Sequence, residues 1–284
     1  MIISVTGGKG GVGKSTVSVA IAYNLTKKGY KVLLVDADVE CPNDHLLLGI
    51  NINNMSHISD VAIPKPIINE DNCIKCGACV RACRESALFQ VPGNVPTLLP
   101  EQCIGCGACS LACPVNAITE KDEKIGEILT GNGQGIKLLT GIMTPGYEEA
   151  SPIVNSLIDE TKKIKENFDH IIIDTAPGTH CNVITSLRNV DTAFAVTEPT
   201  PLGAHDLDLI LSLGKELNVP MNTIINRNGI GDNKLIADVI KRYDTEIVSQ
   251  IPYDKKIFEA YSKGIPIEHE EIDKIVNRIL GDNK

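Results

Sequence analysis

The chain has 284 residues, 43% hydrophobic and 22% charged, with a formal net charge of -9 and a pI near 5.2. This is enough for one large core and a small second module, and it excludes function through a broad basic surface, so neither nucleic acid nor an anionic membrane is an expected partner. Ile2 to Val5 reads as a strand with no secretory segment before it, and no apolar run nears the about 18 residues of a membrane span, which predicts a soluble, cytoplasmic protein. Eight of the ten cysteines fall into two tight, matched groups, a pattern of metal ligation in a reducing compartment rather than of a disulfide framework.

In chain order, Ile2 to Val5 and Lys31 to Val35 are short β-branched runs separated by a helical pattern from Ser15 to Lys28 that Gly29 ends. The character changes between Ile63 and Asp122, where both cysteine groups appear and Pro64, Pro66, Pro92, Pro96, Pro100 and Pro114 preclude a long helix. A strand is expected from Lys137 to Ile142, after the turn Gly131-Asn132-Gly133-Gln134-Gly135. Further apolar runs, 170–173, 192–196, 221–225 and 246–251, alternate with helical stretches near 150–166, 204–217 and 233–243. This predicts an α/β fold, a mostly parallel P-loop sheet flanked by helices in two parts, 1–62 and 123–284, interrupted by a small α+β module at 63–122.

Gly8-Lys9-Gly10-Gly11-Val12-Gly13-Lys14-Ser15-Thr16 lies between the first strand and the first helix. There, successive backbone N–H groups and the positive end of the helix dipole suit a polyphosphate, with Lys14 reaching the β and γ phosphates, Ser15 ligating Mg2+ and Thr16 making a further phosphate contact. A nucleoside polyphosphate with Mg2+ is therefore the expected ligand.

The cysteines are spaced Cys73-x2-Cys76-x2-Cys79-x3-Cys83 and Cys103-x2-Cys106-x2-Cys109-x3-Cys113. Such spacing wraps one loop around three corners of a [4Fe-4S] cube, with Gly77 or Gly107 permitting close backbone approach, whereas structural zinc usually takes separated cysteine pairs. Asp71 to Cys79 matches Glu101 to Cys109, so the two halves look duplicated. The region resembles bacterial two-cluster ferredoxins over about sixty residues. That resemblance implies one cluster on Cys73, Cys76, Cys79 and Cys113 and a second on Cys103, Cys106, Cys109 and Cys83. The chain departs from the pattern at Arg84, which stands where Pro114 follows the other group and adds a positive charge that could raise one cluster's potential.

The second lysine of the loop, Lys9, gives a version that resembles the deviant Walker A loop of the MinD, ParA, Mrp and nitrogenase iron protein superfamily. The resemblance implies that the nucleotide is ATP or ADP, hydrolysed in a nucleotide-dependent homodimer, with Lys9 reaching the partner's nucleotide. Val35-Asp36-Ala37-Asp38 resembles its first switch, which would give Asp38 the attacking water and place Asp36 near the metal. Ile173-Asp174-Thr175-Ala176-Pro177-Gly178 resembles its second, with Asp174 near Mg2+ through water and the Gly178 amide near the γ phosphate. Asn226 and Arg227, with the segment Pro252-Tyr253-Asp254, match positions that read the adenine base, and Thr197-Glu198-Pro199-Thr200-Pro201 looks especially like the Mrp branch.

Cys181 and Cys41 lack the second nearby cysteine that a further cluster would need, and Cys181 is expected to be a buried or neutral thiol. His180 reads as a loop residue, and Ile272, Ile275, Val276, Ile279 and Leu280 as the packed face of a helix too acidic for a membrane anchor. The preferred function is ATP-dependent dimer switching coupled to electron transfer through the two clusters to a redox partner protein. Behind it stand an Mrp-type carrier that hands clusters to an apo iron-sulfur protein, and a MinD-like spatial regulator.

Overall fold

The computed structural model describes residues 1–281 except 148, 189 and 244. Its first elements are β1 (Ile2–Thr6), α1 (Lys14–Lys27) and β2 (Val32–Ala37). Both strands are almost wholly enclosed, which is why they read as unbroken apolar runs. Next come α2 (Asp44–Leu47), β3 (Ser56–Ile68), α3 (Ala78–Ala82), β4 (Leu88–Phe89), β5 (Thr97–Leu98), α4 (Ala108–Leu111), β6 (Ile118–Gly133) and β7 (Ile136–Met143). The chain continues through α5 (Ser151–Ile164), β8 (His170–Thr175), α6 (Cys181–Leu187), β9 (Thr192–Thr197), α7 (Pro201–Glu216), β10 (Met221–Asn228), α8 (Asn233–Ile240), β11 (Ile247–Pro252), α9 (Lys255–Ser262) and α10 (Glu270–Leu280).

One sheet, in the order β11-β10-β9-β1-β8-β2-β7-β6-β3, carries the molecule. It is parallel from β11 to β7, while β6 and β3 are antiparallel to their neighbours. The chain order reverses around β1, which lies between β8 and β9, so the loop after β1 opens at the point where α/β sheets gather ligands. Ile272, Ile275 and Val276 of α10 are enclosed in the same core cluster as Val17 and Ile21 of α1, the packing expected of the C-terminal helix. Among the described residues, no helix is long and apolar enough to cross a membrane.

The long pair β3 and β6 departs from the sequence reading. Gly131 to Gly133 belong to β6 and pair with Leu138 to Ile136, and the turn itself is Gln134-Gly135, both at positive φ (53° and 79°). Glycine is needed in that strand because a Cβ at Gly133 would come within 2.8 Å of the Leu48 carbonyl. Pro64 and Pro66 lie in β3, which pairs on one side only, so their missing N–H groups break no second ladder. β3 and β6 run without interruption across residues 62–63 and 122–123, so the cysteine-bearing segment is the far end of a two-stranded extension of the main sheet.

That segment repeats itself in backbone as in sequence. Left-handed residues recur at Lys75 and Gly105 (φ 59° and 71°), Gly77 and Gly107 (71° and 72°), and Ser86 and Asn116 (55° and 51°), each pair 30 positions apart. Gly77 and Gly107 each precede a short helix, α3 and α4, and a small hairpin of β4 and β5 closes the segment. Its enclosed apolar residues are small in number and size: Cys79, Leu88 and Cys109 in one cluster, with Ala87 and Ala117 beside them.

Candidate functional site

Gly13, at φ 97°, turns the loop after β1 into α1, and a Cβ there would lie 2.2 Å from Asn226 Nδ2. The Asn226 side-chain amide donates to the Val12 carbonyl at 2.8 Å, so β10 braces the loop from behind. In front opens a cavity of about 280 Å³. Gly10, Gly11, Gly13, Lys14, Ser15 and Thr16 form its floor, Asp38 and Pro177 one side, and Asn226, Arg227 and Pro252 the other. Tyr253, Ile257, Phe258 and Tyr261 complete an apolar wall from β11 and α9. The sequence reading missed α9; its signal was three of the chain's ten Phe and Tyr residues falling within 253–261.

Five expected site residues stand outside this lining: Gly8, Lys9, Val12, Gly178 and, just beneath Ser15, Asp174. Gly8 is pressed against Asp206, whose carbonyl would lie 2.4 Å from a Cβ there, and Val12 is enclosed in the core. The Gly178 amide donates to the Gly7 carbonyl at 3.1 Å instead of facing the cavity. Lys9 points sideways, its ammonium 2.5 Å from Glu198 Oε1, while the other oxygen of Glu198 takes Arg227 at 3.1 Å. Glu198 is 8% exposed and was given no role from sequence; it pairs with both cations beside the cavity, one through each oxygen.

The acidic side of the cavity is buried. Asp174 accepts from Ser15 Oγ at 2.7 Å and Ser18 Oγ at 2.8 Å, and burial pushes its carboxyl up to about 6 against the opposing pull of those hydroxyls and of Lys14. Burial, then Asp174, raise Asp36 well above the usual range, although its oxygens accept the backbone N–H groups of Asp38, Asn43 and Asp44 at 3.2, 2.9 and 3.1 Å. Asp36 thus ties down the loop that presents Asp38. Burial lowers Lys14, while Asp174 and Asp38 pull it back up. Asp36, Asp44 and Asp174 bring carboxylate oxygens within 4.8 Å of one another, and both Asp44 oxygens are enclosed without a partner. Enclosed acceptors in that state suit a divalent cation held nearby by Ser15 and Asp174.

Two smaller cavities lie in the cysteine segment. Cys73, Cys76, Cys79 and Cys113 line one, between Ile68 and Ile118; Cys83, Cys103, Cys106 and Cys109 line the other, beside Pro64 and Pro66. Each quartet takes three thiols from one group and the fourth from the other. Burial raises the Cys79 and Cys109 thiols, and Cys113 Sγ accepts the Ala117 N–H at 3.2 Å. Four thiols around one apolar hollow are the donor set of a soft metal centre. Position along β3 separates the two hollows: Pro64 and Pro66 are nearer the sheet body than Ile68, by roughly 7 to 13 Å at strand rise. The Cys103 quartet is therefore proximal and the Cys73 quartet distal.

Outside both sites, His180 is the loop residue preceding α6, as expected. Of the buried or neutral thiol expected at Cys181, burial does not hold, because the residue opens α6 on its solvent side and is exposed; Cys41 is exposed too.

Residues 3–267 match the family described as the CobQ/CobB/MinD/ParA nucleotide binding domain. An uncharacterized protein of Methanocaldococcus jannaschii is 37% identical over 93% of this chain and 90% of its own. The iron-sulfur cluster carrier protein of the same organism is 27% identical over 98% of this chain and 83% of its own. Among solved structures, the septum site-determining protein MinD of Pyrococcus horikoshii, complexed with Mg-ADP, has a TM-score of 0.61 over 98% of this chain and 95% of that one, a likeness of fold at 20% identity.

Proposed function

The chain belongs to the CobQ/CobB/MinD/ParA nucleotide-binding family, and from that premise we propose that it hydrolyses ATP and couples nucleotide-dependent dimer switching to electron transfer through two [4Fe-4S] clusters. In this reading residues 63–122 are an inserted ferredoxin domain within an ATPase domain formed by 1–62 and 123–284. The observation that carries it is the crossed sharing of cysteines between two hollows on strands continuous with the sheet that bears the nucleotide cavity.

Within the nucleotide cavity, Lys14 and the amides of Gly10 to Thr16 bind the phosphates, and Ser15 with Asp174 holds Mg2+. Asp38, raised above the ordinary carboxylate range chiefly by burial, orients water toward the terminal phosphate. Lys9 leaves Glu198 to engage the nucleotide of a second copy, and Gly178 exchanges the Gly7 carbonyl for the γ phosphate. In the insert, the two quartets hold the clusters, which supply one-electron storage when bound. The partner is a redox protein.

Relatives named iron-sulfur cluster carrier protein favour a second reading, in which the chain delivers a cluster to an apo iron-sulfur protein. Anaerobic purification with iron and sulfide analysis, followed by redox titration in ADP, ATP and a nonhydrolysable analogue, tests the first reading. Nucleotide-dependent potentials support it, and potentials that ignore the nucleotide sink it. Lys14→Ala is expected to weaken nucleotide binding about 10- to 100-fold, the loss of a charge-assisted contact, and to abolish any such dependence. Transfer of iron to an apo acceptor that fails in Cys181→Ser would favour the carrier.

A further inference from the structure

Resting on the reading of the two quartets as cluster sites, we propose that Lys65 is a buried charge that sets the proximal cluster, on Cys103, Cys106, Cys109 and Cys83, at a higher reduction potential than the distal one. The first electron supplied by a one-electron donor then settles on the proximal cluster, which is reduced as the donor is oxidised.

Lys65 is 3% exposed. Its ammonium donates to the Cys103 carbonyl at 2.7 Å and to the Pro100 carbonyl, and lies 5.1 Å from the centre of the Tyr147 ring. Among the described residues it has no carboxylate within ion-pair distance. Among the described residues this enclosed cation faces neutral carbonyls and a ring, an arrangement that is costly unless an anion lies close by. The adjacent hollow, lined by four thiols that become thiolates when they bind metal, supplies one.

The duplication provides an internal control. Thirty positions on, Val95-Pro96 repeats Lys65-Pro66. Pro66 lines the proximal hollow and Pro96 the distal one, so Val95 is the distal counterpart of Lys65. The other nearby cations are exposed: Lys75 and Arg81 on the distal side, the latter donating to the Cys76 carbonyl at 3.0 Å, and Arg84 beside Cys83 on the proximal side. Opposing charges exist on the proximal side. Glu85 and Glu120 line that hollow but are exposed, and half-buried Glu123 is hydrogen-bonded to the Tyr147 hydroxyl. Water and salt screen exposed charges far more than enclosed ones, so Lys65 outweighs them. Reduction adds negative charge to a cluster, and a nearby under-screened cation favours that state.

The test is an anaerobic titration of the full chain with dithionite, followed by electron paramagnetic resonance, with iron counted in every sample. The native chain is expected to give two one-electron midpoints. Lys65→Val should lower only the higher, by about 59 mV or more, a tenfold change for a one-electron couple, and Val95→Lys should raise only the lower. An unmoved higher midpoint in fully loaded Lys65→Val overturns the proposal and leaves the cluster reading standing; a native chain without iron overturns both. If Lys65→Val does not load, Val95→Lys decides alone: a raised lower midpoint supports the role of charge at this position, and an unmoved one overturns it.

Discussion

At the nucleotide end of the sheet, Lys14, Asp36 and Asp174 are each no more than 6% exposed and stand among strands that are themselves enclosed. In the cysteine segment, the largest enclosed apolar residue is Leu88, and its companions are Ala87, Ala117 and two of the proposed metal ligands, Cys79 and Cys109. The first region is therefore shaped by its own packing, and a ligand enters a cavity already formed. The second has little apolar surface of its own, so on the proposed function the clusters in the two hollows would be part of its structure.

The most drastic way to break this contrast is to strip the metal. Chelation is expected to make residues 69–117 sensitive to limited proteolysis while the sheet keeps its melting temperature; resistance of that segment after stripping would show that its fold needs no occupant. Packing in the body is tested next. Ile275→Ala, at a fully enclosed position, should cost about 2 to 5 kcal/mol in denaturant unfolding.

Asp174 gives a smaller effect of opposite sign. With its carboxyl raised to about 6 by burial, the folded chain keeps a proton that the unfolded chain releases from about pH 4, so this group's contribution to stability declines as pH rises from about 4 to 6. Asp174→Asn should flatten that decline and raise the melting temperature of the nucleotide-free chain at pH 7, by up to about 3 kcal/mol in stability, while lowering Mg2+-dependent hydrolysis. A variant less stable than the native chain at pH 7 contradicts the burial argument. The smallest change is expected from Leu111→Ala in α4, where the side chain is 90% exposed and stability should move by about 0.5 kcal/mol or less.

What could be read beforehand follows the same division. The phosphate loop and both cysteine groups were legible because their chemistry sits in short stretches, from Gly8 to Thr16 and within 73–83 and 103–113. The parallel strands were legible because burial on both faces leaves an apolar run. β6 was not, because Thr119 to Lys124 are mostly exposed on a two-stranded projection and carry charge instead of alternation. α9 is only eight residues long with no enclosed residue, and its apolar side, Ile257, Phe258 and Tyr261, faces the cavity. The pairing of Lys9 with Glu198 joins residues 189 positions apart, which no local pattern encodes.

One backbone hydrogen bond gives the two regions a mechanical connection. The Met143 N–H donates to the Val39 carbonyl at 2.9 Å, and Val39 directly follows Asp38 at the cavity edge. Four residues past Met143, the Tyr147 ring supports the Lys65 ammonium. On the proposed function, a bound triphosphate that displaces Asp38 would act on a strand end four residues from Tyr147, and the nearer of the two quartets should register the state of the fuel before the farther one does.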